Sequence, residues 1–258
     1  MKTEIHVNHL TPAEKLVFDL GIDDPREIDL EVIAAYVGCS IRFRELKGCE
    51  ARILANGDRA IISVDSRVHP FRQRFSIGHE LGHWQFHKGK ACFCESEGIG
   101  NWSIVGTEHV ADEYAANLLM PRFLFIPAST GMHTNFRSIE HLAQLFQCSK
   151  TATAIRMVEH GPEPALIICH GLQGRRWFKR NKDVPEKWFP RKKLDQESYV
   201  YDVQFGAEKE CKRGLISADA WFDRDDAHKY EVCEEAIKTS NNETLTLITF
   251  RNDGMLEE

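Results

Sequence analysis

His79 and His83 stand four positions apart. On an α-helix that spacing puts both side chains on one face, so their imidazole nitrogens can be offered to a single point in space. Glu80 follows the first histidine and projects beside that point, where it can hold a water molecule and take its proton without being a ligand itself. A metal ion that does chemistry needs a third protein ligand and one position left open. Glu108 is the expected third ligand: it opens the next helical stretch after a gap of 24 residues. Asp112 lies one turn further along the same face. It is expected to accept the remaining N–H of a metal-bound histidine and so fix its tautomer. His87 and His109, also nearby, read as ordinary surface or core histidines. The chemistry implied is hydrolysis with Zn2+ as cofactor, Mn2+ being the alternative.

Several elements must position these groups. Thr11 to Gly21 has a capping threonine, a proline in the first turn and Leu16, Val17 and Leu20 at helical spacing. A second helix runs from Leu30 to Val37, with Gly38 where a left-handed cap would end it. Ser40 to Asp65 alternates in short, β-branched runs around Asn56-Gly57-Asp58, which predicts a small antiparallel sheet. The histidine pair falls in a helical run from Phe71 to His87. Glu108 to Leu119 is helical and closed by Pro121, and two further helices span 138–147 and 150–160. Strand-like runs follow at 165–169, 199–203 and 244–250, with a helix expected near 230–238. The fold class is α+β. The expected domains are residues 1–125 carrying the metal site, a helical unit at 126–163 and a mixed α/β domain at 164–258.

Composition narrows the functional classes. The formal net charge of -6 disfavours the whole chain as a nucleic-acid binder, since that affinity comes from neutralising phosphates with Lys and Arg. The helices at 138–160 have a helix-turn-helix look, but Lys150 and Arg156 are cancelled by Glu140 and Glu159, so the basic footprint of a DNA reader is missing. Arg175 to Lys193 holds nine basic residues against Asp183 and Glu186, interleaved with Trp177, Phe178, Trp188 and Phe189. Stacking on bases is one reading; the preferred one buries those aromatics in a small sheet domain. The eight cysteines are scattered, which suits reduced thiols, and Cys92-x-Cys94 is a weak metal signal. No run of 18 apolar residues and no signal peptide are evident, so no membrane partner and a cytoplasmic location are expected.

The block Arg72-Gln73-Arg74-Phe75-Ser76-Ile77-Gly78-His79-Glu80-Leu81-Gly82-His83-Trp84, followed by Glu108-x-x-Ala111-Asp112-x-Tyr114-Ala115-x-x-Leu118-Leu119-Met120-Pro121, resembles the ImmA/IrrE family of bacterial metallopeptidases over residues from about 10 to 160. The resemblance implies a gluzincin-like peptidase. His79, His83 and Glu108 would bind the metal and Glu80 would be catalytic. The implied substrates are transcriptional repressors of the helix-turn-helix type, whose cleavage switches genes on.

On this reading the metal polarises the scissile carbonyl and Glu80 moves the water proton to the leaving amine. An extended substrate is expected to add to an exposed edge of the strand at Ile61 to Val64. The rival reading is a non-catalytic regulatory module, with a structural metal and a basic C-terminal surface for nucleic acid or a repressor.

Overall fold

The computed structural model describes residues 9–87, 101–239 and 242–257. The Cys92–Cys94 pair lies outside the described residues. The chain is α+β and divides into two compact units: Met1–Ala128 with Ala143–Ser149, and Ser129–Leu142 with Lys150–Glu258.

The first unit opens with helix α1 (Pro12–Asp19). Thr11 caps it through a reciprocal bond with Glu14: the Glu14 amide donates to the threonine hydroxyl, and the Thr11 amide donates to the Glu14 carboxylate. Helix α2 (Leu30–Tyr36) is capped by Asp29. Strands β1 (Cys39–Arg44), β2 (Ala51–Asn56) and β3 (Arg59–Asp65) then form a sheet of order β1-β3-β2.

That sheet is mixed rather than antiparallel. The Asn56–Asp58 turn makes β2 and β3 a hairpin, as the turn residues require. Strand β1, however, returns to the far edge of β3 and runs parallel to it. One face buries Ile53, Ile62 and Val64, and β2 and β3 pack on helix α3 (Pro70–His87).

Helix α3 lies along α4 (Asn101–Leu119) in the most extensive helix–helix contact of the described residues. Further anchors are the Trp84 indole, which donates to the Val37 carbonyl at 2.9 Å, and the Arg74 guanidinium, which donates to the Ile28 carbonyl at 3.1 Å. Helix α4 begins at Asn101, so Glu108 stands in its interior and not at its start. A helix absent from the sequence expectations, α5 (Arg122–Ser129), follows and contains Pro127. Helices α6 (Phe136–Phe146) and α7 (Lys150–His160) match the two expected there.

The second unit is built on a five-stranded antiparallel sheet. Strands β4 (Ala165–Gly171), β5 (Gly174–Arg180), β6 (Glu210–Ser217), β7 (Glu231–Lys238) and β8 (Thr244–Phe250) take the order β5-β4-β8-β7-β6. Helix α7 packs on β4 and β5 with Thr153, Ala154, Met157 and Val158 buried. The opposite face carries a core around Trp188, Trp221, Phe222, Ile248 and Phe250. Trp188 is buried in that core and Phe178 packs against the core's edge, which accounts for half of the aromatics in the basic segment, while Phe189 is exposed.

Two elements exchange type relative to expectation. Residues 231–238 are strand β7, not a helix. Val232 and Ala236 are both buried, and a spacing of four places residues on one face of a strand as well as of a helix. Residues 200–205 are a short helix, α8 (Val200–Phe205), not a strand, with Val200, Val203 and Gln204 forming its buried stripe.

Candidate metal centre

Four side chains converge where α3 and α4 face each other. His79 Nε2 and His83 Nε2 are 2.9 Å apart. Glu108 reaches both: Oε2 is 3.2 Å from His79 Nε2, and Oε1 is 3.3 Å from His83 Nε2. A tetrahedral zinc ion with ligands at about 2.0–2.2 Å holds them about 3.3 Å from one another. The two imidazole nitrogens and the Glu108 carboxylate, whose ligand atoms lie within 4.8 Å of one another, are close enough to share one ion. They form the only such cluster among the described residues.

His79 Nδ1 donates to Asp112 Oδ1 at 2.8 Å. That bond places the proton on Nδ1 and leaves Nε2 as a lone pair aimed at the shared point. Burial works against protonation of His79, but the bond to Asp112 and the charges of Asp112, Glu108 and Glu80 outweigh it and raise its pKa. So much negative charge around a histidine pair favours a cation between them.

Glu80 is 3 % exposed, and its Oε2 has no hydrogen-bond partner. An orphaned buried carboxylate oxygen is costly unless something outside the chain satisfies it. Burial, chiefly, pushes its pKa up to about 7; the His79 ring opposes the shift, Glu108 adds to it, and the Ile53 main-chain amide opposes it. Glu80 thus sits beside the ligand cluster and against β2, shielded from bulk water.

The approach of the two helices rests on small residues that the sequence reading passed over. Gly78 and Gly82 each precede a histidine by one position and face Ala111 and Ala115 of α4. A methyl group on Gly78 would lie 3.1 Å from Ala115 Cα, and one on Gly82 3.0 Å from Ala111 Cα. The repeat of small residues at i and i+4 on both helices was the available signal. The expected substrate edge also needs correction. Residues 61–64 belong to β3, which is paired on both sides, so the sheet's open edges are β1 and β2.

Residues 34–158, just under half of the chain, match the family model Peptidase M78, the IrrE N-terminal-like domain. That span is similar to an IrrE N-terminal-like domain. The histidine pair, Glu108 and Asp112 all lie within that IrrE-like domain, as do the helices that position them. Among solved structures, one described as a Mycobacterium tuberculosis transcriptional regulator shares the fold, with a TM-score of 0.61 at 14% identity. The alignment covers 92% of this chain and 75% of that one. No curated protein matches the chain. The six described cysteines are free thiols, and no helix among the described residues is long and apolar enough to cross a membrane.

Proposed function

We propose that the IrrE-like domain is a zinc-dependent, gluzincin-like endopeptidase whose substrates are helix-turn-helix repressors, cleaved in the cytoplasm to derepress genes. The observation that carries the reading is the convergence of one ligand atom from each of His79, His83 and Glu108, all within 4.8 Å of one another and drawn from two helices, next to a buried carboxylate with an unsatisfied oxygen. His79, His83 and Glu108 hold the ion. Two imidazoles and one carboxylate are a donor set suited to zinc, and three protein ligands leave one coordination position for chemistry. When bound, the ion supplies Lewis acidity, polarising the scissile carbonyl and lowering the pKa of a water molecule towards about 7.

Glu80 accepts the water proton on the oxygen that the protein leaves unpaired and returns it to the departing amine. Its burial suits that exchange, since a carboxylate poised near neutrality can both take and release a proton. Asp112 holds His79 in the tautomer that binds. Strand β2, open on its outer edge, offers main-chain groups to an extended substrate.

The test is incubation of the metal-loaded chain, and of Glu80→Gln, with the repressor encoded beside its gene, followed by mass spectrometry of the products. The expected result is a defined cleavage by the parent chain and none by Glu80→Gln, with metal retained in both. Cleavage by the variant at the parental rate would remove Glu80 from the chemistry.

A further inference from the structure

The outer face of the β1-β3-β2 sheet is left open by the helices that cover its inner face, and it is strongly basic. Alternation along the strands places Arg42, Arg52 and Arg59 outward together with Arg44, and all four are exposed. Arg42 and Arg52 flank Ser63 in one cross-strand row. The next row is Ser40, Ile61 and Leu54, with Leu54 51% exposed, and the row after it pairs Arg59 with Asn56.

Among the described residues, Arg42, Arg52 and Arg59 are in no ion pair, and Arg44 bonds only the Ser63 hydroxyl at 2.8 Å. The neighbouring carboxylates are engaged elsewhere: Asp65 with Arg67 at 2.6 Å and Glu50 with Arg72 at 2.5 Å. Asp58 and Glu45 stand at the ends of the strands, in the loops. At the end of the sheet nearer Arg59, a cavity of about 690 Å3 is lined by Ser40, Leu54, Arg59 and Ile61 of this face together with Ala35 of α2 and Ala60.

We propose that this sheet face is a docking surface for an acidic, extended segment of the protein substrate, with carboxylates spaced around an apolar residue. It deepens, and rests on, the peptidase reading. Unpaired guanidinium groups on both sides of an apolar row match carboxylates that flank a leucine-like side chain, and Arg binds carboxylates in a planar, two-pronged manner. Within a chain whose net charge is -6, four exposed arginines on one sheet face give an acidic segment a local site of opposite charge that fixes its register. Strand β2 links docking to cleavage: Arg52 and Leu54 point outward, while Ile53 between them points inward and its amide lies at Glu80. Nucleic acid fits less well, because a net acidic chain with four arginines on a narrow sheet gains little from displacing counterions.

The experiment measures fluorescence anisotropy with the Glu80→Gln chain, so that no turnover consumes the probe. The probes are a labelled peptide of Glu and Leu separated by Ser, its Lys-for-Glu counterpart, and a labelled single-stranded oligothymidine. The acidic peptide is expected to bind, more weakly as salt rises, and Arg42→Glu with Arg52→Glu is expected to weaken it by about tenfold or more. If that pair melts early, Arg42→Gln with Arg52→Gln serves instead. An acidic peptide that fails to bind, that binds the double variant equally well, or that is outcompeted at the same arginines by oligothymidine overturns the proposal. Turnover is scored separately, so a negative here leaves the peptidase reading standing, and a peptidase failure leaves the binding result readable.

Discussion

Gly82 and Ala111 are packed so closely that a methyl group on Gly82 would sit 3.0 Å from the Ala111 Cα and 3.1 Å from Tyr114 Cβ. Both obstacles belong to the body of α4, not to the tip of a flexible side chain. Since α4 also carries Glu108 and Asp112, this contact sets how near the carboxylates come to the histidines.

Gly82→Ala is therefore expected to push the helices apart, costing about 1–3 kcal/mol of stability and weakening metal binding as well. Gly106→Ala is the control. It lies in α4 with nothing within 4 Å of the added methyl, so it should leave metal binding alone and stabilise the helix by about 0.5–1 kcal/mol. Thermal melting with a metal titration decides. Unaltered metal affinity in Gly82→Ala would show that the close approach does not position Glu108.

Asp112→Ala removes the acceptor that holds His79 Nδ1–H and frees the ring to turn or to move its proton. The expected loss is about 10–100-fold in metal affinity, read by competition with a chromophoric chelator. Fold stability should change little, because the Asp112 side chain is 55% exposed. An affinity equal to that of the parent chain would remove Asp112 from the site.

Acid stability of the first unit should depend on Glu14. Its carboxylate is fully buried and receives the amide and guanidinium of Arg122, the shortest bond being 2.6 Å. Burial alone would raise its pKa, but the Arg122 hydrogen bonds, the Thr11 amide and the Arg122 charge prevail and lower it from 4.5 to about 2. A depressed folded-state value means that the stabilisation is complete above pH 4.5 and disappears as pH falls towards 2. The shift corresponds to about 3 kcal/mol. Denaturant melts between pH 6 and about 2 should show that loss in the parent chain and a flatter profile in Glu14→Gln, which is less stable at neutral pH. Parallel profiles would contradict the assignment.

The chemical core of the site was legible because its information is local. Two histidines at i and i+4 and a carboxylate pair at i and i+4 need only a helical backbone to face one way, and α3 and α4 supply it. The distance between those helices was less visible, as it depends on Gly78, Gly82, Ala111 and Ala115 meeting across a tertiary contact. Spacings shared by helix and strand misled at Val232 and Ala236, where the neighbouring strands β6 and β8 decide in favour of a sheet. Pro121 was correctly a terminator of α4, but it hid the start of α5, and Pro127 further obscured that helix. The parallel placement of β1 could not be read from alternation, which specifies faces and not strand order.

Metal content decides whether His79, His83 and Glu108 hold an ion. Purified parent chain, His83→Ala and Glu108→Ala should be loaded with zinc, stripped of loose ion and analysed for metal per chain, with melting temperature recorded alongside. One tightly held ion is expected in the parent chain, and loss of that ion in both variants while they remain folded. Glu108→Ala retaining the ion with parental affinity, or a folded parent chain that holds none, would contradict it.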